Sequence, residues 1–363
     1  NGGTNTFGGT FTSPGVLNLG SASLNFSTGG IVSLGTFNMN NGAFSVLAGA
    51  DPVTVTGSAT LNGTLADSTG LFTIANTASA NSSTGLSLGA RTLRNEGTFS
   101  LNSGAVFMMD GDNSIFQNAG TFNQNGSSTV QDFLGAHVGV STLTNESGGI
   151  YNFNSTETNG VESVVNNAAG SKLFINSGQF KASSGLTQSG TISIGGGTTL
   201  VAGSGLGITN NGLIAGAGSI NVGNQVFTNN GTLQPGGAGA VGTLTVNSSN
   251  ATGFVNSATG VIDIDVASAA SYDKIVATGT NANVALGTVN VMELSPVLAV
   301  GDNLDVVQYT GASTTFIGTL SAPMDVGMTS TPTANALRLS VTSVTHNWNS
   351  DVDGSWSTAG NWT

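Results

Sequence analysis

One phrase returns along this chain: a glycine, then threonine or a similar residue, then a large apolar residue, usually just after asparagine. It reads Asn95-Glu96-Gly97-Thr98-Phe99, Asn118-Ala119-Gly120-Thr121-Phe122 and Gln188-Ser189-Gly190-Thr191-Ile192, and returns as Asn211-Gly212-Leu213-Ile214 and Asn230-Gly231-Thr232-Leu233. Looser forms stand at Gly9-Thr10-Phe11, Gly35-Thr36-Phe37 and Gly63-Thr64-Leu65, with degenerate ones at Gly149-Ile150-Tyr151 and Gly170-Ser171. The glycines at 97 and 120 are 23 apart, and those at 190, 212 and 231 are 22 and 19 apart. A unit this short cannot bury its apolar face alone, so the copies must stack, and the expected result is a parallel β-solenoid.

The rest of the pattern agrees. No window shows apolar residues at helical spacing, while short alternations such as Val16-Leu17-Asn18-Leu19, Ser23-Leu24-Asn25-Phe26 and Thr191-Ile192-Ser193-Ile194 are bounded by Gly, Asn or Ser. Each rung is expected to carry two or three strands. The inward positions include Phe99, Leu101, Phe122, Phe153, Phe174 and Phe180, and Ser, Thr and Asn face outward. Asparagine repeated at one corner has two readings: a ladder of side-chain amides bonded from rung to rung, or simple turn preference.

Only 7% of the 363 residues are charged, yet 38% are hydrophobic, so the chain can bury a core and is not of the disordered type. Six basic residues (Arg91, Arg94, Lys172, Lys181, Lys274 and Arg338) and a net charge of −12 leave no basic footprint for nucleic acid or an anionic membrane. There is no cysteine, which excludes disulfides, thiolate metal sites and a Cys nucleophile. No apolar run reaches the ~18 residues of a membrane-spanning helix. The chain begins at Asn1 without a basic-plus-apolar leader, as a processed chain or a fragment would.

Three regions are expected. Residues 1–255 form the solenoid. Residues 256–345, where strands lengthen as in Gly260-Val261-Ile262-Asp263-Ile264-Asp265-Val266, form a C-terminal β-cap, and 346–363 form a tail holding Trp348, Trp356 and Trp362.

The stretch Tyr272-Asp273-Lys274-Ile275-Val276-Ala277-Thr278-Gly279, followed by Leu286-Gly287-Thr288-Val289, Val300-Gly301-Asp302-Asn303-Leu304 and Phe316-Ile317-Gly318-Thr319-Leu320, resembles the distal end of autotransporter-like passenger domains. The ending from Trp348 through Asp353-Gly354-Ser355-Trp356 to Asn361-Trp362 resembles the openings of bacterial β-solenoid surface proteins. The resemblance implies a secreted β-solenoid, and passengers of that family are commonly adhesins or surface coats. It also implies a membrane β-barrel translocator downstream, which these 363 residues do not contain.

Chemistry is sparse. The close acidic pairs are Asp110/Asp112, Asp263/Asp265 and Asp351/Asp353; Asp263 and Asp265, alternating with Ile262 and Ile264, read as the solvated side of a strand rather than as a glycosidase pair. Asn349, Asp351 and Asp353 make the first half of a calcium loop, but the position for its bidentate glutamate is Gly360, so a polar turn is the simpler reading. His137 and His346 are far apart in the chain and support neither a zinc site nor a triad, and Gly203-Ser204-Gly205-Leu206-Gly207 lacks the context of a dinucleotide site.

No cofactor and no catalytic residue is expected. The leading expectation is a non-enzymatic extracellular structural protein, the subunit of a bacterial surface filament assembled head to tail through exposed β-ends. The intersubunit contacts expected are the strand carrying Leu337, Leu339 and Val341 and the tryptophans 348, 356 and 362. The alternatives are a monomeric adhesin binding glycans or surfaces and, third, a polysaccharide-active enzyme.

Overall fold

The computed structural model describes residues 3–345, apart from 28, 41–44, 67–68, 110–112, 133–140, 158–160, 279–280, 284–286, 296 and 311–315. Every regular element among the described residues is a β-strand. The chain divides into two compact units, Asn1–Ile208 and Thr209–Thr363.

In the first unit the rungs from Leu71 onward are built of short strands, three to a rung where complete, while in the earlier rungs one long strand (Phe11–Leu19, Val32–Met39, Val53–Leu61) spans two faces; each face is a parallel ladder. One face stacks Thr92–Asn95, Ile115–Asn118, Thr142–Asn145 and Val164–Asn167. The second stacks Thr98–Leu101, Thr121–Gly126, Ile150–Ser155, Lys172–Ile175 and Thr191–Ile194. The third stacks Leu86–Leu88, Val106–Met109 and Thr129–Asp132, continued through Val161 to Gln179–Ala182.

Strands of four residues alternate strictly, so two side chains per strand enter the interior. Phe99, Phe107, Phe116, Phe122, Phe153 and Phe180 are completely buried. Phe99 stacks on Phe122 of the next rung with centroids 5.4 Å apart, near the ~4.8 Å strand spacing, and Phe116 meets Phe122 edge-on at 4.9 Å. Phe174 departs from the expectation: it shares a row with Asn152 and is only partly buried, while Leu173 and Ile175 on either side of it point inward.

The recurring phrase acquires a physical meaning at the corner between the first two faces. A Cβ on Gly120 would stand 2.1 Å from the Gly97 carbonyl oxygen, and one on Gly97 would stand 2.2 Å from that of Ala78. At Gly97 and Gly120 successive rungs therefore touch backbone to backbone, and a side chain there would collide with the neighbouring rung. The residue after it faces outward and the next enters the core, as Thr121 and Phe122 do. Gly149-Ile150-Tyr151 is a true copy, since Ile150 pairs with Thr121 and Tyr151 with Phe122. The copy at Gly170-Ser171 is shifted by one: Lys172 pairs with Ile150, so Ser171 takes the corner and Gly170 absorbs the turn at φ 82°.

The second unit continues the same scheme beyond residue 256. Leu213–Gly216, Thr232–Pro235, Val261–Ser268, Thr288–Glu293 and Thr319–Ser321 form one parallel ladder. Ser219–Asn221, Thr243–Asn247, Lys274–Thr278 and Asn303–Tyr309 form another. Parallel stacking thus does not stop near 256, where the sequence rhythm loosens. The reversal comes later, where Asn303–Tyr309 pairs antiparallel with Ala336–Val344, which pairs antiparallel with Val326–Pro332. The fold is an all-β parallel β-solenoid with a C-terminal β-rich cap region.

Candidate functional site: amide columns, neutral rows and a buried aspartate pair

The corner asparagines make the ladder. Asn95 Nδ2 donates to Asn118 Oδ1 at 2.7 Å, Asn118 to Asn145 at 2.8 Å, Asn145 to Asn167 at 3.0 Å, and Asn167 to Gln188 Oε1 at 2.8 Å. The second N–H of each of these asparagines donates to a main-chain carbonyl across the corner: Thr121, Ile150, Lys172 and Thr191 in turn. All five side chains are buried. The second unit has its own column, Asn210 to Asn229 at 2.8 Å and Asn229 to Asn256 at 2.7 Å. The ladder residue is Asn210, not Asn211, and Asn229, not Asn230; the outer pair forms a separate exposed bond, Asn230 Nδ2 to Asn211 Oδ1 at 3.0 Å.

Outside the core the faces are neutral and repetitive. Asn152 donates to Asn123 at 2.9 Å, Asn154 to Asn125 at 3.1 Å and Asn176 to Asn154 at 2.9 Å, which gives partly exposed amide rows on the second face. Charge is sparse: Arg94 bridges Glu96 at 2.8 Å and Glu146 at 2.9 Å, and these contacts hold its pKa above the ordinary value. Arg91 is buried and donates to the Gly49 carbonyl; burial lowers its pKa to about 10, which still leaves it charged at neutral pH. Among the described residues no group of three His, Cys, Asp or Glu side chains is arranged to hold a metal ion.

The most concentrated chemistry lies in the second unit. Asp263 is partly exposed and accepts from Asn290 Nδ2 at 2.9 Å, but Asp265 is 1% exposed and does not lie on the solvated side of the strand as alternation predicts. Ile264, Asp265 and Val266 are buried in succession, because the loop from Gly236 to Gly242 lies against Asp265, with Gly239 N–H 2.7 Å from its Oδ2.

Asp273 is fully buried beside it. Its Oδ1 accepts from Gly242 N–H at 2.7 Å and its Oδ2 from Asp265 N–H at 2.9 Å. Burial, reinforced by the nearby Asp265 charge, pushes the Asp273 carboxyl from 3.8 up to about 7, against the opposing pull of those two N–H groups. With both oxygens taken up by main-chain donors, this carboxyl ties the main chain at Gly242 to that at Asp265. No local sequence signal joins the two, since Asp273 stands between strands Ser271–Tyr272 and Lys274–Thr278 whereas Asp265 lies within Val261–Ser268.

The neighbouring Tyr272 hydroxyl accepts from Asp305 N–H at 3.0 Å, and Lys274 Nζ lies 4.5 Å from the Tyr272 ring centroid. Arg338 grips Asp305 with two bonds of 2.7 and 2.9 Å, holding the Asp305 carboxyl below its usual range.

The expected interface residues fall in two places. Leu337, Leu339 and Val341 are buried in the core of their own chain, and their strand is paired on both edges, so these side chains face inward. Trp348, Trp356 and Trp362 lie outside the described residues, as do Asn349, Asp351 and Asp353, the pair Asp110/Asp112, and His137 and His346.

No protein-family model matches the sequence, and a search of the curated proteins gives no match. Among solved structures, the chain is similar to the crystal structure of the TibC-catalyzed hyper-glycosylated TibA 55–350 fragment, at 14% identity and a TM-score of 0.20, covering 89% of this chain and 97% of that one. A TM-score this low adds nothing to the fold established by the strand registers. No helix among the described residues is long and apolar enough to cross a membrane.

Proposed function

We propose that this chain is a non-enzymatic structural part of an extracellular bacterial surface protein, a passenger-like β-solenoid that associates with further copies through exposed β-edges. The observation that carries this reading is the edge at the start of the first unit. Thr4–Phe7 pairs only with Ser23–Phe26, and Phe11–Leu19 only with Val32–Met39, so both are edge strands among the described residues. The first 50 residues contain no charged side chain. Monomeric proteins commonly place lysine or another charge on such edges to prevent strand addition. Here that protection is missing, in a chain whose net charge of −12 makes copies repel elsewhere.

Later in the chain, Val326–Pro332 is an edge strand among the described residues, which pairs with Ala336–Val344 alone and is also uncharged; Thr319–Ser321, paired with Thr288–Glu293, is another. A head-to-tail contact would use Val326–Pro332 rather than Leu337, Leu339 and Val341. The outward rows of Asn, Ser and Thr suit a solvated display surface, and the carboxylates of Glu96 and Glu146, close together there, are both taken up by Arg94.

A second reading, a monomeric adhesin for glycans or surfaces, is favoured by Pro14 and Pro332. Both stand in edge strands, and proline blunts edge pairing. Electron microscopy and sedimentation at several concentrations separate the two. Growth into filaments supports association; rods of constant mass at every concentration overturn it and direct attention to glycan arrays.

A further inference from the structure

The loop from Gly236 to Gly242 joins Thr232–Pro235 to Thr243–Asn247, and glycine shapes it. Gly236, Gly237 and Gly239 adopt φ of 78°, 89° and 71°. A Cβ on Gly236 would stand 2.0 Å from the Ala240 carbonyl oxygen. Inside the loop, Ala240 N–H donates to the Gly237 carbonyl at 3.1 Å. Two of its remaining ties are side-chain bonds to acids: Gly239 N–H to Asp265 and Gly242 N–H to Asp273, both at 2.7 Å. The two acids are joined in turn, since Asp265 N–H donates to Asp273 Oδ2 and Asp273 N–H to the Asp265 carbonyl, each at 2.9 Å. A glycine-shaped loop thus rests on two buried carboxyl groups.

The charged groups on the surrounding strands are engaged elsewhere. Asp263 accepts from Asn290, and Glu293 from the main chain of Val297 and Leu298. Lys274 covers the Tyr272 ring, and Arg338 is bonded to Asp305. Among the described residues no cation pairs with Asp265 or Asp273. A buried Asp273 without a counter-charge, and with the Asp265 charge nearby, does not readily ionise.

We propose that Asp273 is a proton-dependent latch, which, with Asp265 beside it, holds the Gly236–Gly242 loop closed while Asp273 keeps its proton and lets it open once that proton is lost. In the closed state burial sets Asp273 at about 7, whereas an opened, hydrated Asp273 returns toward 3.8. Opening therefore releases a proton in that window. It becomes easier as pH rises from the lower value to the upper one and levels off above it.

The test is hydrogen exchange at the Gly239 and Gly242 amides of the full chain, expressed as protection factors at pH 5 and pH 8. The wild type is expected to lose at least about tenfold in protection across that interval. Asp273→Asn should show no such change, and the Thr232 amide, bonded to the Gly212 carbonyl at 2.8 Å, should stay constant in both. Equal loop protection at the two pH values in the wild type overturns the latch, as does an unchanged pH response in Asp273→Asn. Should that variant not fold, carbon-13 titration of the Asp273 carboxyl in the wild type decides: a midpoint above pH 6 supports the latch, and one near 4 overturns it.

Discussion

Asn95 pairs on one side with Asn118 and stands in register on the other with Ile74, and there the buried amide column ends. Below it the same position holds Val55 and then Leu34. Asn95 Oδ1 is left buried without a hydrogen-bond partner. Every link runs in one direction, from the Nδ2 of one rung to the oxygen of the next, so the column has a single open acceptor at this end.

A hydroxyl at position 74 would supply the missing donor. Ile74→Thr should therefore be milder than Ile192→Thr at another completely buried isoleucine, by about 1 kcal/mol, the net worth of one hydrogen bond. Chemical denaturation of the two variants checks this, and equal losses would show that the Asn95 oxygen gains nothing from a neighbour.

Breaking the column in the middle should cost more. Asn118→Leu removes the acceptor of Asn95 and the donor to Asn145 together. With about 1–3 kcal/mol for each of these two buried groups left unsatisfied, a loss of about 2–6 kcal/mol is expected. Asn123→Ala, which removes a partly exposed amide of the outer row, should change stability by less than about 0.5 kcal/mol.

The corner glycines make a sharper contrast. Gly120→Ala places a methyl 2.1 Å from the Gly97 carbonyl oxygen, a main-chain atom held by the rung below. A destabilisation of about 2–3 kcal/mol or a failure to fold is expected. Gly196→Ala has nothing within 4 Å of the new Cβ and should be neutral or slightly stabilising. Thermal melts of the two proteins distinguish a packing requirement from a general need for flexible turns.

The Asp305–Arg338 pair should respond to pH with the sign opposite to that of Asp273. Its carboxyl lies below the ordinary 3.8, so the stability it contributes is present above that value and is lost as pH falls through the lower folded-state pKa. The pair is partly exposed, and the effect should be small and salt-sensitive. Comparing acid unfolding of the wild type and Asp305→Asn at low and high salt measures it; identical acid limbs would show that the pair adds no stability.

Much of this was legible in the sequence because period and residue type carried it. The spacing of Gly97 and Gly120, and of Gly190, Gly212 and Gly231, gave the rung, alternation gave the inward faces of Phe99, Phe122 and Phe153, and repeated asparagine marked the corner. Phe174 escaped because a short apolar run such as Leu173-Phe174-Ile175 does not reveal its own phase; only register with Asn152 and Ser193 assigns it to the outside.

The sequence by itself determined that this chain stacks: a repeat too short to bury its own face has no other way to leave water, and sparse charge confines its chemistry to a few places. The tertiary structure decided which asparagines enter the column, which tolerate only glycine beside them, and where parallel stacking reverses. It alone brought the loop at Gly239 and Gly242 onto Asp265 and Asp273. The physical reason is that hydrogen bonds and burial between rungs join residues about twenty to thirty positions apart, and a pattern read along the chain does not contain the register that aligns them.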